Sequence, residues 1–309
     1  MRERRKFFER PESPRPMRVT ARDITLLQNI ARFRLASGAQ LARLDGGSGQ
    51  NVSRALSALF ENGYVERPVA QVASRLLHNG SRPVIYGLTR KGARLLRDHG
   101  HDVQRRLLDG IDKERGAGWR FVEHTVSITE FFVQLETALR SRQDVRILDR
   151  DEIVEDARSS TRERKSRIEA TIRLDGALRK NAVIPDALFG LRFNDEEESY
   201  FALEIDRGEM PVERYHDLYR TYYAKKMLTY FEANRQQRHL HDLGINALRV
   251  ATVTTTQERV EQMLAALKRI TDGRGSSMFL FTTERTLAAS NPLDVAWLSG
   301  KGEPVRITD

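Results

Sequence analysis

The chain has 309 residues, a formal net charge of +9 and an apolar fraction of 39%, enough for one large or two ordinary domains with real cores. It contains no cysteine, which excludes disulfides, thiolate zinc sites and cysteine nucleophiles, and no run approaches the ~20 apolar residues of a membrane-spanning helix. The N-terminal MRERRKFFERPESPRP lacks the apolar segment of a secretory signal, so the expected location is the cytoplasm and no membrane partner is expected, while the basic balance favours polyanionic partners.

Residues 1–19 are basic, punctuated by proline and follow neither helical nor strand period, so they read as a flexible arm. Its cations Arg2, Arg4, Arg5 and Lys6 would either track a DNA backbone or simply solvate a tail. From Asp23 to Arg34, Ile24, Leu27, Ile30 and Ala31 recur at helical spacing behind a start signal at Thr20 or Asp23. A short helix about Ala39 to Leu44 follows a glycine. After the turn Asp45-Gly-Gly-Ser-Gly, a third helix runs about Gln50 to Asn62 and is ended by Gly63. Val52, Leu56 and Leu59 form its inner face, leaving Gln50, Asn51, Ser53, Arg54 and Ser57 mostly outward. Two short strands, Tyr64 to Arg67 and Val84 to Leu88, enclose a loop bearing Arg75 and Arg82. Thr89 caps a closing helix that begins with Arg90.

Residues 20–100 resemble bacterial winged helix-turn-helix domains, through ALSALFENGYVER and, beyond the wing, YGLTRKGARLL. A polar-faced helix of this kind enters the major groove. Gln50, Asn51, Ser53 and Arg54 are then candidates for reading base edges, and Arg75, Arg82 and Arg90 for neutralising phosphates. Double-stranded DNA is the expected partner, against the competing reading of a protein-interaction module. Winged-helix proteins often dimerise on paired half-sites. A homodimer is therefore a candidate state, although no heptad repeat enforces it.

Residues 101–118 read as a linker, and a second domain is expected over 119–290. Its first helix, Trp119 to Arg140, sets Phe121, Ile128, Phe132, Leu135 and Leu139 on one face, with His124 read as a core residue beside them. Val145 to Leu148 and Ile168 to Leu174 read as strands, separated by the polar, basic loop Ser159 to Arg167. Ala182 to Asp186 reads as a short strand ending in Pro-Asp. Leu188 to Phe193 and Tyr200 to Ile205 form a hairpin around an acidic turn. Strand parity turns Phe201, Leu203 and Ile205 one way and Glu204 and Asp206 the other. Two carboxylates at a strand end, with Asp186 nearby, would assemble a divalent-metal site of oxygen ligands. A helix about Val212 to Ala233 follows, its inner face defined by Tyr215, Leu218, Tyr219 and Tyr222. At about 100° per residue Lys226 falls on that face and Lys225 off it. An inward lysine needs carboxylate partners or must snorkel to water; Glu204 and Asp206 are the candidates. A strand (Ala247 to Thr254), a helix (Gln257 to Ile270) and a last strand (Met278 to Thr282) complete an α/β (α+β) domain, followed by a tail at 291–309.

The order of these elements, with IPDALFGL and FALEIDRG, resembles the PD-(D/E)XK nuclease superfamily. With the N-terminal winged helix, and through FVEHTVSITEFF, PDALFGL, LEIDRGE and KKMLTY, the chain resembles the replication-relaxation family of plasmids and conjugative elements. The resemblance implies a metal-dependent nuclease core that nicks DNA, and partners among transfer or replication proteins. Asp186, Glu204 and Asp206 would hold Mg²⁺ or Mn²⁺, and Lys226 would stabilise charge on the phosphate. Asp206 stands where the superfamily's third motif normally has lysine; in some of its nucleases the neighbouring helix supplies that lysine, the place of Lys226. A covalent mechanism would need a tyrosine such as Tyr215, Tyr219, Tyr222 or Tyr223, whose helical spacing suits core packing better. The alternative is a non-catalytic DNA-binding regulator or replication accessory protein with a degenerate nuclease fold.

Overall fold

The computed structural model describes residues 7–72, 74, 82–103, 107–108, 110–111, 116–155, 166–174, 176–194, 197–213 and 222–308. The chain is of mixed α/β class and divides into two compact units, Met1–Val133 and Gln134–Asp309.

The first unit opens with α1 (Ala21–Phe33), β1 (Leu35–Ser37), α2 (Gly38–Asp45) and α3 (Gly49–Glu61). Reciprocal capping boxes start the first two helices, Thr20 with Asp23 and Ser37 with Gln40. Gly46, at φ 70°, ends α2 in the left-handed conformation. The chain continues through β2 (Val65–Glu66), β3 (Ile85–Leu88) and α4 (Arg90–Asp98). The three strands form an antiparallel sheet in the order β1-β3-β2. Ile24, Leu27, Ile30, Val52, Leu56 and Leu59 lie in its core, as their spacing predicts. Gly92 is required where α4 begins against the turn before β2: a Cβ there would sit 2.2 Å from the Tyr64 carbonyl oxygen.

Two expectations fail in this unit. The arm is docked from Phe7 onward: Arg10 donates from Nε to the Phe60 carbonyl (2.9 Å) and from Nη2 to that of Val65 (3.0 Å). Arg67 donates to the Phe7 carbonyl (2.6 Å) and Asn62 to that of Arg15 (3.1 Å). Carbonyls at a helix end lack intrahelical donors, and the arm's arginine supplies one. Arg2, Arg4, Arg5 and Lys6 lie outside the described residues. In the expected linker, Val103 and Ile111 are buried in the same core.

Helix α5 (Trp119–Leu139) begins in the first unit and ends in the second. It buries Val122, Thr125 and Thr129 where the sequence suggests Phe121 and Ile128, which are half-buried, as is His124. The threonines are accommodated because each hydroxyl donates to a carbonyl one turn back, and that of Thr129 also to Leu35 (2.8 Å).

The second unit contains β4 (Val145–Leu148), α6 (Arg150–Ile153), β5 (Ile168–Leu174), β6 (Ala177–Val183), β7 (Ala187–Phe193) and β8 (Glu198–Asp206). It continues through α7 (Tyr223–Arg235), α8 (Arg238–Leu243), β9 (Arg249–Thr254), α9 (Gln257–Ile270), β10 (Phe279–Thr283), α10 (Glu284–Ala289), β11 (Trp297–Ser299) and β12 (Pro304–Val305). Among the described residues, seven strands form one mixed sheet in the order β12-β11-β10-β9-β8-β7-β4, with β8, β9 and β10 parallel. Strands β5 and β6 form a separate antiparallel hairpin. One sheet face is covered by a core built from β5, α7 and α9, including Ile172, Met227, Tyr230 and Met263.

Three boundaries differ from expectation. The strand before Pro-Asp ends at Val183, so Asp186 precedes β7 instead of closing a strand. Tyr222 is extended (φ −141°) and α7 starts at Tyr223, not Val212; Tyr215, Leu218 and Tyr219 lie outside the described residues. The expected tail supplies β11 and β12, with Trp297 fully buried and its indole N–H donating to the Pro292 carbonyl (3.0 Å). Among the described residues no helix is long and apolar enough to cross a membrane.

Candidate active site

Parity along β8 sends Glu204 and Asp206 to the α7 side of the sheet, as expected, but the two carboxylates meet different partners. Glu204 is 1% exposed. Its Oε2 accepts from Lys226 Nζ at 2.6 Å, and its Oε1 accepts from the Tyr230 hydroxyl at 2.7 Å. Lys226 and Tyr230 are four residues apart on α7, so both project from one helical face onto the same carboxylate. Asp186, half-buried, is brought alongside by strand pairing. Its N–H donates to the Leu203 carbonyl (3.0 Å), and its Oδ2 accepts from the Ile205 N–H (2.8 Å).

Electrostatics couple these three groups. Burial pushes the Glu204 carboxyl above the usual carboxylate range, against the pull of the Lys226 ammonium and with the repulsion of Asp186. For Lys226 burial acts downward, but Glu204 and Asp186 outweigh it, and its pKa is raised. The lysine is therefore held as a cation at a carboxylate pair.

Asp206 is engaged elsewhere. Arg259 from α9 grips it with both Nε and Nη2, the latter at 2.8 Å from Oδ1, and Thr254 Oγ1 donates at 2.6 Å. Arg259 Nη2 also donates to the Met210 carbonyl. The hydrogen bond to Asp206, foremost, raises the guanidinium's pKa. The expected grouping of Asp206 with Glu204 around one cation gives way to a structural ion pair that ties α9 to the end of β8.

Among the described residues no group of three or more carboxylates and histidines is arranged to hold a metal, and Asp206 is engaged by Arg259. What remains is the pair Asp186 and Glu204. Their oxygens are of the hard type that Mg²⁺ takes, commonly one or two carboxylates with several waters, but both Glu204 oxygens are already engaged by Lys226 and Tyr230.

Of the tyrosines in reach, Tyr222 and Tyr223 are buried. The Tyr223 hydroxyl is hydrogen-bonded to Thr252 Oγ1 (2.7 Å), and burial pushes its pKa well above 10.0. Tyr230 was not singled out from sequence, although its spacing from Lys226 carried the signal.

In the first unit, Gln50, Asn51, Ser53 and Arg54 are all exposed on α3, opposite the buried Val52, Leu56 and Leu59. Arg54 donates to Asn51 Oδ1. A groove of about 290 Å³ runs between this face and the docked arm, lined by Arg15, Met17, Ser53, Arg54, Ser57 and Asn62 among others. Arg90 is exposed at the start of α4. Arg82 is partly exposed and engaged, donating to Glu123 at 3.1 Å and lying 5.6 Å from the Trp119 ring centroid. Arg75 lies outside the described residues. Arg67 is a buried cation that sequence reasoning passed over, 4.2 Å from the ring centroid of Phe7 and 4.1 Å from that of Phe60.

The family model described as Replication-relaxation matches residues 27–239, well over half of the 309 residues, and the chain belongs to that family. Membership associates it with replication or relaxation of plasmids and other mobile elements. No curated protein and no solved structure matches the chain.

Proposed function

We propose that the chain binds double-stranded DNA through its first unit and hydrolyses phosphodiester bonds in its second, as a metal-dependent nickase of a plasmid or mobile element. The order α1-β1-α2-α3-β2-β3, with sheet order β1-β3-β2, supports a winged helix-turn-helix. In this reading α3 enters the major groove and Gln50, Asn51, Ser53 and Arg54 face the bases. Asp186 before β7, Glu204 within β8 and a lysine from the following helix support a PD-(D/E)XK-like site.

The observation that carries the catalytic reading is the 2.6 Å contact between Lys226 Nζ and Glu204 Oε2. A lysine held inside the fold at a carboxylate pair is the placement the displaced lysine needs. Asp186 and Glu204 would hold Mg²⁺ or Mn²⁺; when bound, the metal polarises the phosphate and lowers the pKa of water. The protein's own contribution is positional. Tyr230 and Lys226 fix the plane of the Glu204 carboxylate, the Ile205 N–H fixes Asp186, and the Lys226 cation stabilises charge developing on phosphoryl oxygens. The buried, hydrogen-bonded Tyr223 is a poor nucleophile, which speaks against a covalent mechanism at that residue.

The test is incubation of the protein with supercoiled plasmid carrying its native element, with and without Mg²⁺ or Mn²⁺. Metal-dependent nicking that Glu204→Ala abolishes is the expected result; nicking that survives Glu204→Ala rejects the assignment. One observation favours a second reading: Asp206 is lost to Arg259, which leaves the site short of a third carboxylate. DNA binding with no nicking in either metal would identify a non-catalytic regulator.

A further inference from the structure

The β5–β6 hairpin has a feature that the proposed site does not use. Strand β5 alternates strictly, with Ile168, Ala170, Ile172 and Leu174 buried and the residues between them exposed. Strand β6 buries little: Ala177, Leu178, Arg179 and Lys180 are all exposed, Leu178 to 66%. Register pairs Thr171 with Lys180 and Arg173 with Leu178. Residues directly opposite in an antiparallel pair share a face, so Arg173, Leu178 and Lys180 stand together on the outer one. Between positions 173 and 180 the sequence holds three cations, Arg173, Arg179 and Lys180, against one acid, Asp175. Further along the outer face Glu169 is already paired with Arg167, at 2.7 Å.

The hairpin is mounted on the helix that carries Lys226. Asn181 Nδ2 donates to Thr229 Oγ1 (2.7 Å). Gln236, which caps α7, brackets Thr171: it accepts from the Thr171 N–H (3.0 Å) and donates to the Thr171 carbonyl (2.7 Å). The same strand then leads directly to Asp186. Asp186 follows Lys180 by six positions, a span of at most ~20 Å at about 3.3 Å per residue. On one DNA strand, at ~3.4 Å per nucleotide, that is about six nucleotides.

From this placement we infer that the β5–β6 hairpin is a second DNA-backbone contact, which grips phosphates flanking the strand presented to Asp186 and Glu204 through Arg173 and Lys180. The inference rests on the proposed DNA-binding function and extends it to a surface separate from α3. Arginine and lysine on a paired hairpin position a duplex without reading its sequence. The contact is therefore indifferent to sequence and sensitive to salt, whereas the α3 contact discriminates between sequences.

The experiment is a fluorescence-anisotropy titration of the full chain on a labelled duplex of about 30 base pairs, repeated over about 50–200 mM salt. The proteins compared are the wild type, R173A/K180A and R54A. For R173A/K180A the expected results are an affinity about tenfold weaker and a log–log salt slope shallower by about 1.8, two phosphates at ~0.9 each. Both substituted side chains are exposed, so the thermal midpoint stays at the wild-type value. R173A/K180A with unchanged slope and affinity, while R54A weakens binding, overturns this inference and leaves the α3 reading standing. A wild-type chain that binds no duplex overturns both.

Discussion

Lys226 Nζ and the Tyr230 hydroxyl divide the two oxygens of Glu204 between them, at 2.6 and 2.7 Å. One turn of α7 thus satisfies a carboxylate that β8 buries almost completely. Removing either donor leaves an acceptor in a site that water cannot repair.

Tyr230→Phe is expected to destabilise the protein by about 1–3 kcal/mol, the cost of leaving one buried acceptor unsatisfied. Urea unfolding monitored by circular dichroism checks this. A wild-type midpoint would show that Glu204 is satisfied by other means.

Lys226→Met tests the ion pair through its pH dependence. The folded pKa of Lys226 is raised above its ordinary 10.5, so the pair's stabilisation is fully present below pH 10.5 and is lost as pH rises through the folded value. The unfolding free energy of the wild type should therefore fall toward that of Lys226→Met as pH climbs past 10.5. Parallel profiles across that window would contradict the pairing.

Arg259→Ala leaves Asp206, whose side chain is 5% exposed, with Thr254 as its main remaining partner. Breaking a buried pair by removing one member costs about 3–5 kcal/mol. Replacing both members, as Asp206→Leu with Arg259→Leu, should cost less than Arg259→Ala alone. Equal or greater loss in the double variant would show that Asp206 has a role beyond holding α9.

Arg54→Ala should weaken binding to the cognate site by about 1–3 kcal/mol if Arg54 reads a guanine. Arg90→Ala should lower the salt slope by about 0.9. Arg82→Ala should leave it unchanged, because Arg82 is occupied by Glu123 and Trp119. Gel-shift titrations at several salt concentrations separate these outcomes, and a shallower slope for Arg82→Ala would return it to the interface.

Arg10→Ala should destabilise the first unit by about 1.5–3 kcal/mol, since charged hydrogen bonds to the Phe60 and Val65 carbonyls are lost. Limited proteolysis at the junction of arm and α3 reads the same effect. Unchanged resistance would mean that the arm contributes nothing to the fold.

Much of the fold was legible because its periods are strong. Ile168 to Leu174 alternates without a break, and its observed bounds match. Gln257 to Ile270 is amphipathic behind its cap at Thr256, and also matches. The misses have physical reasons. Strands β1, β11 and β12 span only two or three residues, too few to show any period. The first half of β6 is exposed and mixed in polarity and is held extended by pairing with β5, a tertiary cause with no local mark. At the site, parity separates Glu204 and Asp206 from their neighbours, but the phase that turns Lys226 inward is counted over a helix from Val212, whereas the helix starts at Tyr223; the Lys226–Glu204 contact agrees with that reading while its premise does not. The diversion of Asp206 to an arginine 53 positions away was not legible, because nothing near either residue announces it. The docked arm was missed for the same reason: its composition is that of a solvated tail, and the carbonyls that hold it belong to α3 and β2.

The most direct test of the central claim is the initial rate of Mg²⁺-dependent plasmid nicking by the wild type and by Glu204→Gln, which keeps the shape of the side chain and removes its charge. The account predicts nicking by the wild type and, in a variant that remains folded, a fall of at least ~100-fold, the scale on which losing one group that stabilises the transition state is felt. Nicking by Glu204→Gln at the wild-type rate would contradict it and move the chemistry away from the Asp186–Glu204–Lys226 cluster.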